Sequence, residues 1–215
     1  TDKHAGTEKF GVGEVLSFAD RVDTLWEAGY KKNDFYELFK IMKSETSGFK
    51  KAAVGKILKS LKIKSGVAIE INSDIPVGVG GMGSSAAFAV SLTKAISELN
   101  NKNLSNDKIN DIAYEIEKIQ HGNPSGGDNA ACCYGGLIWF QRSEPKNMIK
   151  LIDLGYELEN FVVVNSGKRE KTTGELVQHV RNLDQNYKNK RIQALGDAAN
   201  KMLDALKHRD FVKVR

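Results

Sequence analysis

The sequence predicts a protein of mixed α and β structure with a substantial core. Apolar and polar residues alternate over residues 66–72, and this period of two is typical of a strand. A glycine-rich loop then leads into residues 86–99, where apolar side chains recur at helical spacing. With 215 residues and 40% hydrophobic content, the chain is long enough for one large or two small domains. These observations predict a strand–loop–helix unit within a soluble globular fold.

Helices dominate the predicted amino-terminal part. Residues 13–62 carry apolar stripes at helical spacing, which Gly29 and Gly48 are expected to punctuate. A further amphipathic helix is predicted over residues 106–120, with Ser105 as its N-cap. Strands are predicted at residues 134–140, 148–154 and 161–164, and residues 173–215 are helical in pattern.

The composition excludes several classes of protein. No apolar run approaches the ~20 residues that span a bilayer, and the first residues lack an export pattern, so we expect a cytoplasmic protein. The neighbouring Cys132 and Cys133 argue against a disulfide framework and are expected to be reduced and buried. The formal charge of +5 favours anionic partners, but no RNA-binding motif accompanies it. We therefore expect no nucleic acid and no membrane partner, whereas a nucleotide and a carboxylate or phosphate substrate suit this charge.

The glycine-rich loop carries the strongest functional signal. It reads Pro76-Val-Gly-Val-Gly-Gly-Met-Gly-Ser-Ser-Ala-Ala87. Its glycines allow successive amide hydrogens to converge on an anion, and the first turn of the following helix adds unpaired amide donors. It is not a Walker loop, because Gly83 rather than lysine precedes Ser84 and Ser85. It is not a convincing dinucleotide fingerprint, because no acidic residue ends a second strand about 20 residues later. The loop therefore predicts a phosphate site.

Two carboxylates complement this loop. Glu117 is predicted in the last turn of a helix and Asp128 in the loop beyond it. Carboxylates close to a polyphosphate repel it unless a divalent cation lies between them, so the combination suggests Mg²⁺. The second carboxylate can instead accept a proton from a substrate hydroxyl.

Two motifs together resemble the GHMP kinase superfamily, and its mevalonate kinase branch most closely. The first is the glycine-rich loop, and the second is Glu117-Lys-Ile-Gln-His-Gly-Asn-Pro-Ser-Gly-Gly-Asp-Asn129. Their order and the helix between them match the family. The resemblance implies an α/β (α+β) fold in which helices pack on a mixed sheet, with the strand-to-helix loop at the nucleotide.

The resemblance also implies roles for individual residues, with ATP and Mg²⁺ as cofactors. Ser85 and Glu117 match the groups that join Mg²⁺, and Asp128 matches the residue that accepts or orients the proton of the attacking hydroxyl. Contacts with ATP are implied for Gly80, Gly81, Met82, Gly83, Ser84, Ser85 and Ala86. Contacts with the substrate are implied for His121, Ser125, Gly126 and Thr173, and a hydrogen-bonding role suits His121 better than proton transfer.

The family's first and last motifs are not found. Residues 1–14 lack the Gly-Lys-x-x-Leu-x-Gly-Glu-His strand, and no Thr-Gly-Ala-Gly-Gly-Gly-Gly loop occurs. We therefore expect a fragment of a longer enzyme, incomplete at both ends. The expected parts are a helical segment 1–62, a nucleotide- and substrate-binding core 63–172 and the start of a second domain 173–215.

The implied function is the ATP-dependent phosphorylation of the hydroxyl of a small carboxylate, with mevalonate as the first choice. Three alternatives stay open within the superfamily: a phosphomevalonate, a homoserine or a sugar kinase. A further alternative is a nucleotide-binding fragment without catalysis. A third is a basic RNA-binding domain related in fold to ribosomal proteins, in which Glu117 and Asp128 would have no function. A homodimer is compatible with the sequence but is not indicated by any motif.

Overall fold

The chain divides into two compact units, Thr1–Leu151 and Ile152–Arg215. The structure, a computed structural model, describes residues 8–75, 81–159, 162, 176, 179–180 and 182–214. In the first unit the helices are α1 Val12–Lys32, α2 Tyr36–Ser44, α3 Gly48–Leu61, α4 Ser84–Leu99, α5 Asn106–His121 and α6 Gly127–Tyr134. Its strands are β1 Ile138–Gln141 and β2 Met148–Leu151. The second unit contains helix α7, Gln185–Lys207.

The predicted helical stretch over residues 13–62 is confirmed as three helices, with one difference at Gly29. Helix α1 continues through Gly29 and ends at Lys32, with Asn33 as its C-cap in the left-handed region at φ of 53°. A Cβ at Gly29 would lie 2.7 Å from the carbonyl oxygen of Asp34. Gly29 therefore serves a close approach between backbone segments rather than a helix end, whereas Gly48 does begin a helix.

The core of the first unit lies between its helices. Helices α1 and α3 approach so closely that a Cβ at Gly55 would lie 2.2 Å from the carbonyl oxygen of Val15. One buried cluster joins α1, α3, α4 and α5, and includes Val15, Ile57, Leu58, Leu92, Ile96, Ile112 and Ile116. A second joins α1, α2, α3 and α5, and includes Phe18, Val22, Phe35, Leu38, Ile41, Ala52 and Ile119. Helix α5 contributes to both clusters, so its position is determined from two sides.

The strand predicted over residues 66–72 is wrong. These residues form no strand and no ladder pairing, and Ile69 and Ile71 are 40% and 50% exposed. A strand needs a neighbour to accept its hydrogen bonds, and within the described residues no segment pairs with this one. The alternating pattern was therefore a property of the sequence that the described fold does not use.

The predicted mixed sheet is also not observed in the described part of the chain, which holds one two-stranded antiparallel sheet. Strand β1 pairs with β2 so that Trp139 faces Lys150. The predicted strands at 134–140 and 148–154 are thus confirmed in part, and the one at 161–164 lies, except for Val162, outside the described residues. Glycines 135 and 136, with φ of 68° and 60°, separate α6 from β1.

Helix α5 confirms the predicted helix over residues 106–120, with the Ser105 side chain accepting from the Lys108 amide at 3.3 Å. Residues 128–133, which were expected to lead from a loop into the strand at 134–140, instead lie in α6, Gly127–Tyr134. In the second unit, the Asp184 side chain caps α7 by accepting from the Tyr187 amide at 2.9 Å. None of the helices in the described ranges has both the length and the apolar character needed to cross a bilayer.

Candidate functional site

Six of the thirteen sequence-predicted site residues lie at three helix ends in the first unit. The start of α4 carries Ser84, Ser85 and Ala86, the last turn of α5 carries Glu117 and His121, and the start of α6 carries Asp128. Helix α4 packs against both α5 and α6. Gly80 and Thr173 lie outside the described residues, so their predicted roles stay predictions.

The glycine-rich loop enters α4 through left-handed backbone. Gly81 has φ of 94°, and Gly83 is the N-cap of α4 with φ of 63°. The amide of Ala87 donates to the Gly83 carbonyl at 2.8 Å, the first hydrogen bond of the helix. The amides that precede Ala87 in this first turn have no partner within an α-helix and carry the positive end of its dipole. Gly81, Met82 and Ser84 are exposed, so an anion has access to this junction.

The side chains of Ser85, Glu117 and His121 form a contiguous cluster behind this junction. The Ser85 hydroxyl donates to Oε2 of Glu117 at 3.2 Å and lies 3.3 Å from Nε2 of His121. The same imidazole nitrogen is 3.4 Å from Oε2 of Glu117. The predicted partnership of Ser85 with Glu117 is therefore present as a direct contact, and His121 joins it.

Glu117 is the most unusual side chain of the site. It is only 2% exposed, and its Oε1 atom is buried without a hydrogen-bond partner. Burial raises its pKa to about 7; the hydrogen bond from Ser85 opposes this rise and the negative charge of Asp128 adds to it. A buried acceptor without a partner is costly for a folded protein, so such a group indicates a ligand.

The cluster fits a hard divalent cation. A carboxylate oxygen that lacks a partner and a hydroxyl oxygen beside it are ligand types that Mg²⁺ prefers, and Mg²⁺ takes its remaining ligands from phosphates and water. Within the described residues there is no group of three or more His, Cys, Asp or Glu side chains that could hold a metal by itself.

Asp128 lies in the first turn of α6 and is exposed. The negative charge of Asp128 raises the pKa of both Glu117 and His121, so its carboxylate lies near the cluster. Among the described residues, no hydrogen bond joins Asp128 to the cluster. Burial lowers the pKa of His121, and Asp128 opposes that shift. A neutral imidazole can bridge the hydroxyl of Ser85 and the carboxylate of Glu117, which agrees with a hydrogen-bonding role for His121.

Ser125 and Gly126 lie in the turn between α5 and α6. Gly126 is buried and is the N-cap of α6, with φ of 90°. Ser125 is exposed, and its hydroxyl accepts from the Gly127 amide at 3.1 Å. The turn thus sets how the chain enters the helix that carries Asp128. Among the described residues, neither Ser125 nor Gly126 forms a hydrogen bond with the Ser85 cluster.

Sequence reasoning missed a residue pair that holds α6 against α5. The side chain of Asn129 is 1% exposed and donates to Oδ1 of Asn110 at 2.7 Å. Because Asn129 adjoins Asp128, this bond orients the start of α6 towards the site. Its place in the second motif was an available signal, but nothing in the sequence pointed to Asn110.

The two cysteines also differ from expectation. Both are free thiols, as expected, but Cys132 is exposed and Cys133 is partly exposed, so the expected burial is wrong. A Cβ placed at Gly83 would lie 3.9 Å from Sγ of Cys132. Cys132 therefore lies beside the N-cap of α4, because α6 packs against α4 at this point.

A glycine-rich junction at a helix start, next to a buried carboxylate and an exposed one, is an arrangement typical of proteins that bind phosphate groups. A sequence model of the family described as the GHMP kinases N terminal domain matches residues 24–136, more than half of the chain. The chain belongs to the GHMP kinase family. The resemblance inferred from the two motifs is therefore confirmed.

Curated relatives agree with this assignment. The chain is similar to a mevalonate kinase of Methanocaldococcus jannaschii, with 30% identity over 125 residues that cover 58% of this chain and 40% of the relative. It is also similar to a mevalonate kinase of Pyrococcus abyssi, with 30% identity over 64% of this chain and 39% of the relative. A mevalonate kinase of Arabidopsis thaliana is 41% identical over 35% of this chain and 23% of the relative. The matched region thus spans about two fifths or less of these relatives, and no solved structure matches the chain significantly.

Proposed function

We propose that the polypeptide carrying these residues is an ATP-dependent kinase that phosphorylates the hydroxyl of a small carboxylate, with mevalonate as the first candidate. The observation that carries the proposal is the buried Glu117 with its unpartnered oxygen, in contact with Ser85 at the start of α4. The names of the similar proteins support mevalonate over other acceptors. The two proposed substrates, ATP and mevalonate, are both water-soluble, which suits the cytoplasmic location expected from the sequence.

In this proposal, the start of α4 binds the phosphates of ATP. The first-turn amides donate to phosphate oxygens, and the glycines before them let the backbone come close. Ser85 and Glu117 would hold Mg²⁺, which neutralises charge on the phosphates when it is bound. His121 keeps the hydroxyl of Ser85 and the carboxylate of Glu117 in place through its contacts at 3.3 and 3.4 Å.

Asp128 is the proposed residue that handles the proton. The oxygen of the substrate hydroxyl attacks the γ-phosphorus, the bond from that phosphorus to the bridging oxygen breaks, and ADP leaves with the electron pair. The hydroxyl proton passes to the carboxylate of Asp128, which later releases it to water. Its exposed position in the first turn of α6 leaves it accessible to a bound substrate.

The test compares Asp128→Asn with wild type in the natural polypeptide that contains these residues. We expect Asp128→Asn to lower kcat with mevalonate by roughly 10²- to 10⁴-fold while Mg²⁺-ATP still binds, because a positioned base contributes about that factor. Asp111→Asn is the matched control, since Asp111 is an exposed carboxylate on α5. Coupled ADP release is measured with mevalonate, phosphomevalonate and homoserine in parallel.

The outcomes separate mevalonate from phosphomevalonate and homoserine as the acceptor, and a kinase from a nucleotide-binding module. Turnover with phosphomevalonate or homoserine alone would keep the kinase and replace the substrate. Binding of Mg²⁺-ATP without acceptor-dependent ADP release, unchanged by Asp128→Asn, would favour a nucleotide-binding module and refute catalysis.

A further inference from the structure

The indole of Trp26 connects helix α1 to the turn that separates the two carboxylates of the site. Its Nε1–H donates to the carbonyl oxygen of Gly122 at 2.6 Å, across 96 positions of sequence. Gly122 is the C-cap of α5 and directly follows His121. Trp26 belongs to neither of the motifs that predicted the site.

Neighbouring side chains hold the indole in one orientation. Its ring stacks on Tyr30, with centroids 5.0 Å apart and an interplanar angle of 23°. The ammonium of Lys118 lies 4.4 Å from the ring centroid and is itself bound to Oε1 of Glu115 at 2.5 Å. The N–H donor is therefore preorganised, and the Trp26 side chain loses little rotamer freedom when it forms the hydrogen bond to Gly122.

Gly122 is confined on its other side as well. It is buried with a left-handed φ of 71°, and a Cβ there would lie 2.6 Å from Cδ2 of Phe35. Phe35 is the N-cap of α2, so the first two helices both contact this residue. The position of the turn relative to α5 is consequently determined by the amino-terminal helices and not by α5 alone.

Downstream anchors hold the rest of the turn. The Tyr114 hydroxyl donates to the carbonyl of Pro124 at 3.3 Å, and the side-chain amide of Asn147 donates to the carbonyl of Ser125 at 3.1 Å. The Trp26 bond is shorter than both and lies closest to His121. It therefore acts at the end of the turn where the imidazole contacts the Ser85 and Glu117 pair.

We propose that Trp26 is a positioning residue for phosphoryl transfer: its indole N–H anchors the Gly122 carbonyl and so fixes the turn that begins directly after His121 and leads to Asp128. The inference rests on the proposed function, because the chemistry it serves is the transfer reaction. Trp26 touches neither reactant and acts through the placement of the two groups at the ends of the turn.

The test is Trp26→Phe in the natural polypeptide, which keeps an aromatic face for Lys118 and Tyr30 but removes the N–H donor. Trp139→Phe is the matched indole-to-phenyl control on strand β1. We expect kcat to fall about tenfold, within the ~10²-fold that a misplaced reacting group costs, with the KM for ATP unchanged. The unfolding temperature should fall by no more than about 4 °C, as expected for one hydrogen bond.

Hydrogen exchange provides a readout that does not depend on activity. Amides of residues 122–127 should exchange faster in Trp26→Phe than in wild type or Trp139→Phe, while amides of α3 should not change. An unchanged kcat in Trp26→Phe would overturn the proposal. A fall in kcat accompanied by faster exchange of the α3 amides would also overturn it, because it would indicate a general loosening of the fold. If wild type transfers phosphate to no acceptor, the proposed function fails, and the Trp26 anchor is judged by hydrogen exchange alone. Unchanged exchange of amides 122–127 in Trp26→Phe would then refute the anchor. Faster exchange confined to these amides would support it.

Discussion

At the scale of single residues, Glu117 shows how burial converts an ordinary helix residue into a candidate ligand. It follows Ala113 by one helical turn, and both side chains are buried, as is the adjacent Ile116. A glutamate on the apolar side of an amphipathic helix cannot reach water. It must be paired, protonated or bound to a cation.

The pH dependence of stability tests this state of Glu117. In the folded chain, burial raises the pKa of Glu117 from the ordinary 4.5 to about 7. Between pH 4.5 and 7 the folded state therefore retains a proton that the unfolded state releases. The free energy of unfolding should therefore fall by roughly 3 kcal/mol as the pH rises from 4.5 to 7, and vary little with this group above that range. The free energy of unfolding is measured with urea across this pH range, in the presence of EDTA so that no divalent cation is bound.

Glu117→Gln should remove most of this pH dependence, because the amide does not titrate. Glu98→Gln, an exposed carboxylate on α4, should leave it intact. The same slope in wild type and in Glu117→Gln would contradict the assignment of the shift to this residue.

At the scale of elements, α1 packs against α3, and α3 packs against α5, the helix that carries Glu117 and His121. Helices α1 and α3 meet where Gly55 faces the backbone of Val15. Trp26 and Phe35 then extend the same amino-terminal helices to Gly122. These elements lie outside the phosphate-loop motif but determine where the last turn of α5 stands.

Gly55→Ala tests this close approach. The added methyl group would sit 2.2 Å from the Val15 carbonyl oxygen and 2.8 Å from Cβ of Ala19, so the helices must separate. We expect a loss of about 1–3 kcal/mol in the free energy of unfolding, measured with urea, because overpacking outweighs the gain in helix propensity.

Gly13→Ala is the control, since nothing lies within 4 Å of the position of its Cβ and it is also helical. It should leave stability unchanged or raise it slightly. If Gly55→Ala were as stable as Gly13→Ala, the helix contact would not be as close as described.

At the scale of the whole molecule, the described site residues all belong to the unit Thr1–Leu151. Both tryptophans, Trp26 and Trp139, belong to it as well, and the chain contains no other tryptophan. Tryptophan fluorescence therefore reports on the unit that should bind the nucleotide, whereas far-UV circular dichroism also includes α7.

Mg²⁺-ATP should raise the unfolding temperature seen by tryptophan fluorescence in the 215-residue chain. A ligand present at 100 times its Kd stabilises the folded state by about 2.7 kcal/mol, which corresponds to a shift of several degrees. Ser85→Ala should reduce this shift, and Ser143→Ala, an exposed serine in the same unit, should not. An equal shift in both variants would contradict a role of the Ser85 hydroxyl.

Sequence patterns predicted the helices well and the strands poorly. Helices α4 and α5 follow from local periodicity, and α5 also from its Ser105 cap, since each helix satisfies its own backbone hydrogen bonds. Residues 66–72 had the pattern of a strand, but a strand depends on a partner that no local pattern can supply. The helix α6 was missed because its glycine-rich start suggested a loop.

By itself, the sequence determined the family and the chemistry that the motifs can support. The order of the two motifs, and the residue types in them, already indicated phosphate, a cation and a proton acceptor. The tertiary structure alone decided that Glu117 is buried with an unpartnered oxygen, that His121 joins its contact with Ser85, and that Trp26 anchors the turn beside them. Burial and contacts between distant residues arise from packing, and packing brings together positions whose separation along the chain carries no local signal.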